Sequence, residues 1–181
     1  MMPTIRQSRD SDIAAIGDVH REAFGPEQGR EIVDLVNGLL ADETARPLLS
    51  LVAEVEGRIV GHVLFTAVRI SGANQHVRAQ ILSPLAVLPS RQGRGVGGAL
   101  IREGLGQLSA AGVGLVFVLG HPAYYPRFGF QAAGRLGLTA PYPIPREHQD
   151  AWMVQELEPG LLGVAQGEVS CARTLDSPEH W

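Results

Sequence analysis

The feature that most constrains the fold of this chain is a run of glycines just before an apolar, helix-like segment. Within residues 89–100, PSRQGRGVGGAL, four of the six positions from Gly93 to Gly98 are glycine. Each glycine inside a helix costs about 1 kcal/mol relative to alanine, so the run needs a compensating role. A helix N-terminus carries unpaired N–H groups and partial positive charge, and glycines let a ligand approach the backbone closely. The run therefore predicts a diphosphate site at the start of a helix.

Two common phosphate-binding patterns do not fit this run. A P-loop ends in Gly-Lys-Ser/Thr, whereas this run ends in Gly97-Gly98-Ala99 and lacks the phosphate-binding lysine and the magnesium-binding hydroxyl. Gly93, Gly95 and Gly98 match the dinucleotide pattern G-x-G-x-x-G, which also requires an acidic residue about 20 positions later. The segment that follows, VGLVFVLGHP, contains no Asp or Glu. A different diphosphate-binding fold is therefore expected.

The hydrophobic patterns predict a mixed α/β chain. In order, they indicate a strand at 4–8, helices at 10–24 and 29–43, a hairpin that turns at 56–58, a strand at 77–89, the helix after the glycines and a strand at 113–120. Pro84 cannot donate to a ladder, so the strand that contains it should be bulged or broken. Strand, helix and apolar strand in succession predict a right-handed βαβ unit. Residues 134–181 supply a Pro-rich loop and closing strands, and the length predicts one domain over 1–181.

The composition argues against several classes of partner. The formal net charge is −4 and no long cluster of basic residues occurs, so a nucleic-acid partner is not expected. The single Cys171 permits no internal disulfide framework and no multi-cysteine zinc site, which fits a reducing compartment. No stretch approaches the roughly 20 apolar residues of a membrane span, and the N-terminus lacks a signal-peptide core. We expect a cytoplasmic protein without a metal centre or a membrane partner.

Two separated sequence blocks carry a family resemblance. Gln92, Gly95 and Gly97 meet the pattern Q/R-x-x-G-x-G/A, and YYPRFGF at 124–130 contains Tyr-x-x-x-Gly-Phe just after the apolar strand. In this order the blocks resemble the GNAT superfamily of N-acetyltransferases, particularly its small, poorly characterised bacterial members. The resemblance covers residues 4 to about 133. It implies the GNAT fold, an α/β architecture with a mixed central sheet, a splayed strand pair, an N-terminal helix pair and a pyrophosphate-binding helix.

The resemblance also implies acetyl-CoA as cosubstrate and assigns roles to individual residues. The backbone of residues 85–88 would pair with the pantetheine arm, the N–H of Val87 would stabilise the oxyanion, and Tyr125 would meet the departing thiolate. Tyr124 remains the alternative to Tyr125, because sequence does not fix the register of a short helix. Arg94 would either add positive charge or be a solvated side chain. The implied cofactor-binding residues are Leu85, Ala86, Val87, Leu88, Gln92, Gly93, Arg94, Gly95, Val96, Gly97, Gly98 and Tyr125.

The implied reaction is direct transfer of acetyl to a primary amine of a small molecule or peptide, within a ternary complex of a monomer or homodimer. The amine must first lose a proton, and the base is left open among His121, His20, Glu22, Glu54 and His62. Cys171 as an acyl carrier is disfavoured, since no Cys-His signature accompanies it. Two alternatives stay open: a transferase that uses a longer acyl-CoA, and a non-catalytic acyl-CoA sensor or interaction module.

Overall fold

A computed structural model describes residues 2–181, and its centre is one mixed β-sheet. In chain order the main elements are β1 (Thr4–Gln7), α1 (Ile13–Ala41), β2 (Leu49–Val55), β3 (Arg58–Ile70), β4 (Ala79–Val87), α2 (Val96–Ala110), β5 (Leu115–Leu119), β6 (Gln131–Ala132), β7 (Leu138–Thr139), β8 (Trp152–Glu156) and β9 (Gly167–Ser170). The strand order is β1-β2-β3-β4-β5-β8-β6, and β9 pairs with the end of β3 and with β7. Along the main path only the β4–β5 pair is parallel. This agrees with the predicted βαβ unit and mixed sheet.

The two helices expected at the N-terminus are two segments of α1. The backbone at Gly25 is non-helical, with a positive φ of 80° and ψ of 178°, and Pro26 begins the second segment. Proline suits the first turn of a helix, because its missing N–H would have no partner there. The expected connection at 25–28 is thus a kink of one residue, and the second segment starts three residues earlier than the apolar pattern indicated.

The strand that contains Pro84 is irregular at the predicted place. In the β3–β4 ladder Val63 faces Leu85 and Phe65 faces Leu82, so one residue of β3 lies opposite two residues of β4. Proline has no N–H to donate, which explains the bulge. On the other side, the β4–β5 ladder ends at the pair Leu82 and Val118. Beyond this pair β4 continues without β5 as a hydrogen-bonded neighbour, which fits the expected splayed strand pair.

The two helices cover opposite faces of the sheet. A Cβ built on Gly61 of β3 would lie 3.0 Å from Leu100 Cδ1, so this position faces α2. The next residue, His62, points the other way, and its Nδ1 lies 2.8 Å from His20 Nε2 of α1. Successive side chains of a strand alternate between faces. We call these sides the α2 face and the α1 face.

The C-terminal residues join α1 on the α1 face. The Asp42 carboxylate, at the end of α1, accepts hydrogen bonds from the N–H and the hydroxyl of Thr174 at 2.9 and 2.7 Å. Trp152 stacks on Phe117 with ring centroids 5.0 Å apart, and Trp181 packs edge-on against Trp152 at 5.6 Å. These contacts hold the last segment against the sheet. Within residues 2–181, none of the helices is long and apolar enough to cross a membrane.

Candidate active site

A cleft of about 920 Å³ passes through the sheet where β4 and β5 separate. Both faces contribute to its walls. On the α2 face the walls are the glycine run, the start of α2 and the short helix at 125–128; on the α1 face they are the middle of α1 and residues 175–180. The α1-face residues are Phe24, Gln28, Glu31, Ile32, Leu35, Leu175, Glu179 and His180.

The backbone of β4 faces this opening at two positions. The N–H of Leu88 donates to the Val60 carbonyl at 2.8 Å, and Ala86 pairs with His62 of β3. Bonded and non-bonded pairs alternate in an antiparallel ladder, so the N–H and C=O groups of Leu85 and Val87 point away from β3. They face the gap that β5 leaves. Of the four residues expected to pair with a pantetheine arm, Leu85 has both backbone groups available and Val87 has its N–H, since the Val87 carbonyl accepts from the Gln92 side chain. Ala86 and Leu88 are already paired with β3.

The N-terminus of α2 presents a continuous set of backbone donors. Gly93 and Gly95 have φ of 74° and 82°, left-handed angles that glycine adopts without strain. The first intrahelical bond runs from the Ala99 N–H to the Gly95 carbonyl at 3.0 Å. The N–H groups of residues 96–98 therefore have no partner within the helix, and the helix dipole adds about half a positive charge there. Gln92 holds this loop to β4, because its Nε2 donates to the Val87 carbonyl at 3.0 Å.

Three arginines line the same end of the cleft, and they are not the one expected from sequence. Arg91 belongs to the turn before the glycines, Arg102 lies over the Phe128 ring at 5.1 Å, and Arg127 lies over the Tyr124 ring at 4.8 Å. Arg94 is exposed and is absent from the cleft lining. Free amides, a helix N-terminus and three cations fit a diphosphate with additional phosphate charge.

The two adjacent tyrosines occupy different depths. Tyr125 is 8% exposed, and burial, followed by the neighbouring Tyr124, raises the pKa of its hydroxyl well above the ordinary value. Its ring meets Phe130 edge-on at 5.7 Å. The Tyr124 hydroxyl lies 2.9 Å from where a Cβ on Gly97 would stand, so the absence of that side chain leaves the space for it. Both tyrosines line the cleft, Tyr125 toward the core and Tyr124 above the helix N-terminus.

The expected base candidates separate into one cleft residue and four that lie elsewhere. His121 lines the cleft. Glu54 pairs with Arg6 at 3.0 Å, and Glu22 lies in a separate pocket beside that pair. His20 of α1 and His62 of β3 are fully buried between the helix and the sheet and are absent from the cleft lining. Sequence reasoning missed His180, which lines the cleft from a short C-terminal helix without a recognisable motif.

The buried histidines form a hydrogen-bonded chain with two serines. His20 Nε2 meets His62 Nδ1, His62 Nε2 meets the Ser50 hydroxyl, and Ser8 donates to Ser50, all within 2.7–2.8 Å. Burial lowers the pKa of His20 to about 4; burial and then the neighbouring His20 lower the pKa of His62. Both rings are therefore neutral at neutral pH, and their contacts are those of a structural element.

Cys171 lies outside the cleft lining. Its thiol is partly buried, and burial, with a smaller contribution from Asp176, raises its pKa to about 11. A thiol with this pKa is protonated near neutral pH, and the thiolate is the reactive form. Nothing at this position favours an acyl-carrying nucleophile.

Comparison with known proteins identifies the family to which this cleft belongs. The family model described as the acetyltransferase (GNAT) domain matches residues 4–133. The chain is a GNAT-family N-acetyltransferase. This acetyltransferase is 48% identical over 163 residues to the uncharacterised N-acetyltransferase YjhQ of Escherichia coli K12, a match that covers 90% of this chain and 88% of that relative.

Solved structures give the same fold. The Escherichia coli GNAT-family N-acetyltransferase YhbS, crystallised with CoA, matches with a TM-score of 0.85 and 30% identity, over 98% of this acetyltransferase and 94% of that chain. A GNAT-family acetyltransferase from Brucella melitensis, crystallised with acetyl-CoA, matches with a TM-score of 0.75 and 35% identity, over 96% and 98% of the two chains. The family and the fold inferred from the glycine run and the YYPRFGF block are both confirmed.

Proposed function

We propose that this protein transfers acetyl from acetyl-CoA to a primary amine by direct attack within a ternary complex. The observation that carries the proposal is one continuous cleft that joins free backbone amides on the α2 face to an apolar pocket on the α1 face. The two similar structures crystallised with CoA and acetyl-CoA support the choice of cosubstrate. The geometry supports direct transfer, because the two faces would give donor and acceptor separate entrances to the same gap.

The chain's own groups are suited to hold a CoA thioester. The amides of residues 93–98 would bind the diphosphate, with Arg91, Arg102 and Arg127 as countercharges. The backbone of Leu85 and Val87 would pair with the amides of the pantetheine arm, in the way that a peptide adds a strand to a sheet edge. Bound in this way, acetyl-CoA supplies an activated acetyl group at the centre of the sheet.

Two groups of the protein would act on the reacting atoms. The Val87 N–H faces the gap and would stabilise negative charge that develops on the acyl oxygen, a contribution of about 3 kcal/mol for one fixed donor. Tyr125 would donate a hydrogen bond to the departing sulfur. Burial raises the pKa of its phenol, so complete proton transfer to a thiolate is strongly uphill. A hydrogen bond that stabilises the thiolate is the role that this environment favours.

The acceptor must reach the gap as a neutral amine. For an amine with a pKa near 10.4, deprotonation at pH 7 costs about 4–5 kcal/mol. The apolar side chains of Phe24, Ile32 and Leu35 on the α1 face would disfavour the ammonium by desolvation. His121 and His180 are the cleft histidines that would receive the proton, and their separate replacement by Asn distinguishes them by the pH dependence of kcat/KM.

The direct test is to incubate the purified protein with acetyl-CoA and a panel of amines, polyamines, amino acids and peptides. We expect CoA release that depends on the acceptor, a product heavier by one acetyl group, and intersecting double-reciprocal plots. All 15 residues in the Lys+Arg count are arginine, so the chain has no lysine of its own to acetylate. Acetyl-CoA that binds without transfer to any amine would contradict the proposal, as would acetyl carried on Cys171. Propionyl-CoA and succinyl-CoA in parallel measure the acyl preference.

A further inference from the structure

The two ends of the through-sheet cleft carry opposite charge. At the α2-face end the charged side chains are arginines, Arg91, Arg102 and Arg127. At the α1-face end the lining contains two carboxylates, Glu31 and Glu179, and no Lys or Arg among the described residues. Neither carboxylate is paired with a Lys or Arg within residues 2–181, and the ion-pair partner of Glu179 is the adjacent His180, at 3.6 Å. The acceptor entrance is therefore acidic although the cofactor entrance is basic.

Between these charges the α1-face wall is apolar. Phe24, Ile32 and Leu35 of α1 and Leu175 of the C-terminal segment line it, together with Leu119 from the sheet. Such a wall suits a hydrocarbon chain and disfavours a charge within it. An amine that fits both features has a reacting nitrogen at the gap, a methylene chain along the apolar wall and a second positive group at the carboxylates.

The position of Glu179 is defined by contacts on both sides of it in the chain. Before it, Thr174 is bonded to Asp42 at the end of α1. After it, Trp181 Nε1 donates to the Leu175 carbonyl at 3.1 Å, and the Trp181 ring packs on Trp152. Glu31 lies on the second segment of α1. The two carboxylates thus come from distant parts of the chain but border one opening on fixed backbone.

We infer that the acceptor is a dicationic alkylamine, with its non-reacting ammonium bound at the entrance formed by Glu31 and Glu179. This rests on the proposed amine acetylation and adds the class of substrate. Exposed ion pairs are individually weak, so each carboxylate should contribute a factor of about three in affinity and the two together about ten. The selectivity should appear in KM, because the distal charge lies away from the reacting atoms and binds equally in the ground and transition states.

The experiment compares butanediamine (putrescine) with aminobutanol, which has the same chain but a neutral hydroxyl in place of the second ammonium. With saturating acetyl-CoA, we expect wild-type kcat/KM to favour butanediamine by about tenfold. The preference for butanediamine over aminobutanol should fall by about threefold in Glu31→Gln and in Glu179→Gln and should disappear in the double variant, mainly through the KM for butanediamine. Glu27→Gln is the matched control, because Glu27 is an exposed residue of the same helix outside the cleft lining.

Binding of both amines to the protein saturated with CoA, measured by calorimetry, separates this inference from the proposed function. Butanediamine that binds about tenfold more tightly than aminobutanol, and loses that advantage in the double variant, supports the acidic entrance even if neither amine is acetylated. Equal binding of the two amines would overturn the inference. So would a preference that survives the double variant, or one that Glu27→Gln removes equally, since the cause would then be the overall field of the protein.

Discussion

The two ends of the cleft differ in how they are encoded. On the α2 face, contiguous residues 92–98 supply a turn, a set of backbone donors and a helix start, so one short stretch of sequence describes the site. On the α1 face, the wall combines a helix from the first quarter of the chain with the last residues, through side chains that follow no motif. Recognition by backbone requires particular residues at particular spacings, whereas recognition by side chains can be assembled from any elements that meet. The first kind leaves a local signature and the second does not.

The largest effect should come from changing the backbone of the α2 face. Gly95 has φ of 82°, which a β-branched residue adopts only under strain. Gly95→Val should therefore displace the free amides and weaken acetyl-CoA binding by at least about 100-fold, close to 3 kcal/mol by calorimetry. Gly106→Ala is the control, since Gly106 lies on the same helix with open space around it. Gly106→Ala should keep its affinity for acetyl-CoA and unfold at a slightly higher temperature. Unchanged acetyl-CoA binding in Gly95→Val would show that the backbone of the glycine run does not hold the cofactor.

A fall in pH should lower the folding stability through the two buried histidines of the α1 face. The unfolded histidine pKa is about 6.5, whereas burial lowers the pKa of His20 to about 4 and also lowers that of His62. The unfolded state therefore binds more protons between these values, so the stability is complete above pH 6.5 and is lost as pH falls toward 4. Urea unfolding should show a loss of about 2 kcal/mol between pH 6.5 and 5.5. NMR of the native protein tests this: if the ring signals of His20 and His62 both titrate near pH 6.5, the predicted loss of stability is contradicted.

The two tyrosines offer a sharper comparison within the cleft. Tyr125→Phe should lower kcat by about 30-fold and leave the KM for acetyl-CoA nearly unchanged, because its hydroxyl would act on the departing sulfur. Tyr124→Phe removes a hydroxyl that lies above the helix N-terminus, so we expect a small change, mainly in the KM for acetyl-CoA. Steady-state rates under conditions where chemistry limits turnover measure both. The reverse ranking would assign the thiolate role to Tyr124.

The smallest effect should come from the link between the glycine loop and β4. Gln92→Ala removes the hydrogen bond to the Val87 carbonyl, an exposed interaction of about 1 kcal/mol. Acetyl-CoA affinity should fall by about three- to fivefold, with the fold unaffected. Gln107→Ala, which removes an exposed side-chain contact with Glu103 on α2, should leave that affinity unchanged. An equal change in both variants would show that the loop does not depend on this bond.

Much of the fold was predictable because its signals are local. Pro84 predicted the bulge, the glycine run predicted the start of α2, and the turn at Glu56-Gly57 predicted the β2–β3 hairpin. The kink at Gly25 was not predicted, since the apolar periodicity shows where helices bury side chains and not how closely they are joined. The extent of the domain over 1–181 and the roles of the site residues stay predictions.

The remaining parts of the site depend on register and tertiary packing. The sequence predicted that residues 85–88 would all pair with the pantetheine arm. Only the strand pairing shows which of their N–H groups already donate to β3. The sequence allowed His62 as a general base, but tertiary packing buries its ring against His20. His180 and Glu179 join the cleft because Trp181 and Thr174 anchor the segment around them, a long-range outcome that no spacing indicates.

The central claim is that free backbone amides on the α2 face and at the strand gap hold the CoA thioester. Residue-resolved amide hydrogen exchange, with and without saturating acetyl-CoA, tests it most directly. We predict new protection at Leu85, Val87 and residues 93–98, and little change at Leu88, whose N–H already donates to Val60. If saturating acetyl-CoA leaves amide exchange at Val87 and in the glycine run unaltered, these amides do not hold the CoA thioester and the claim is contradicted.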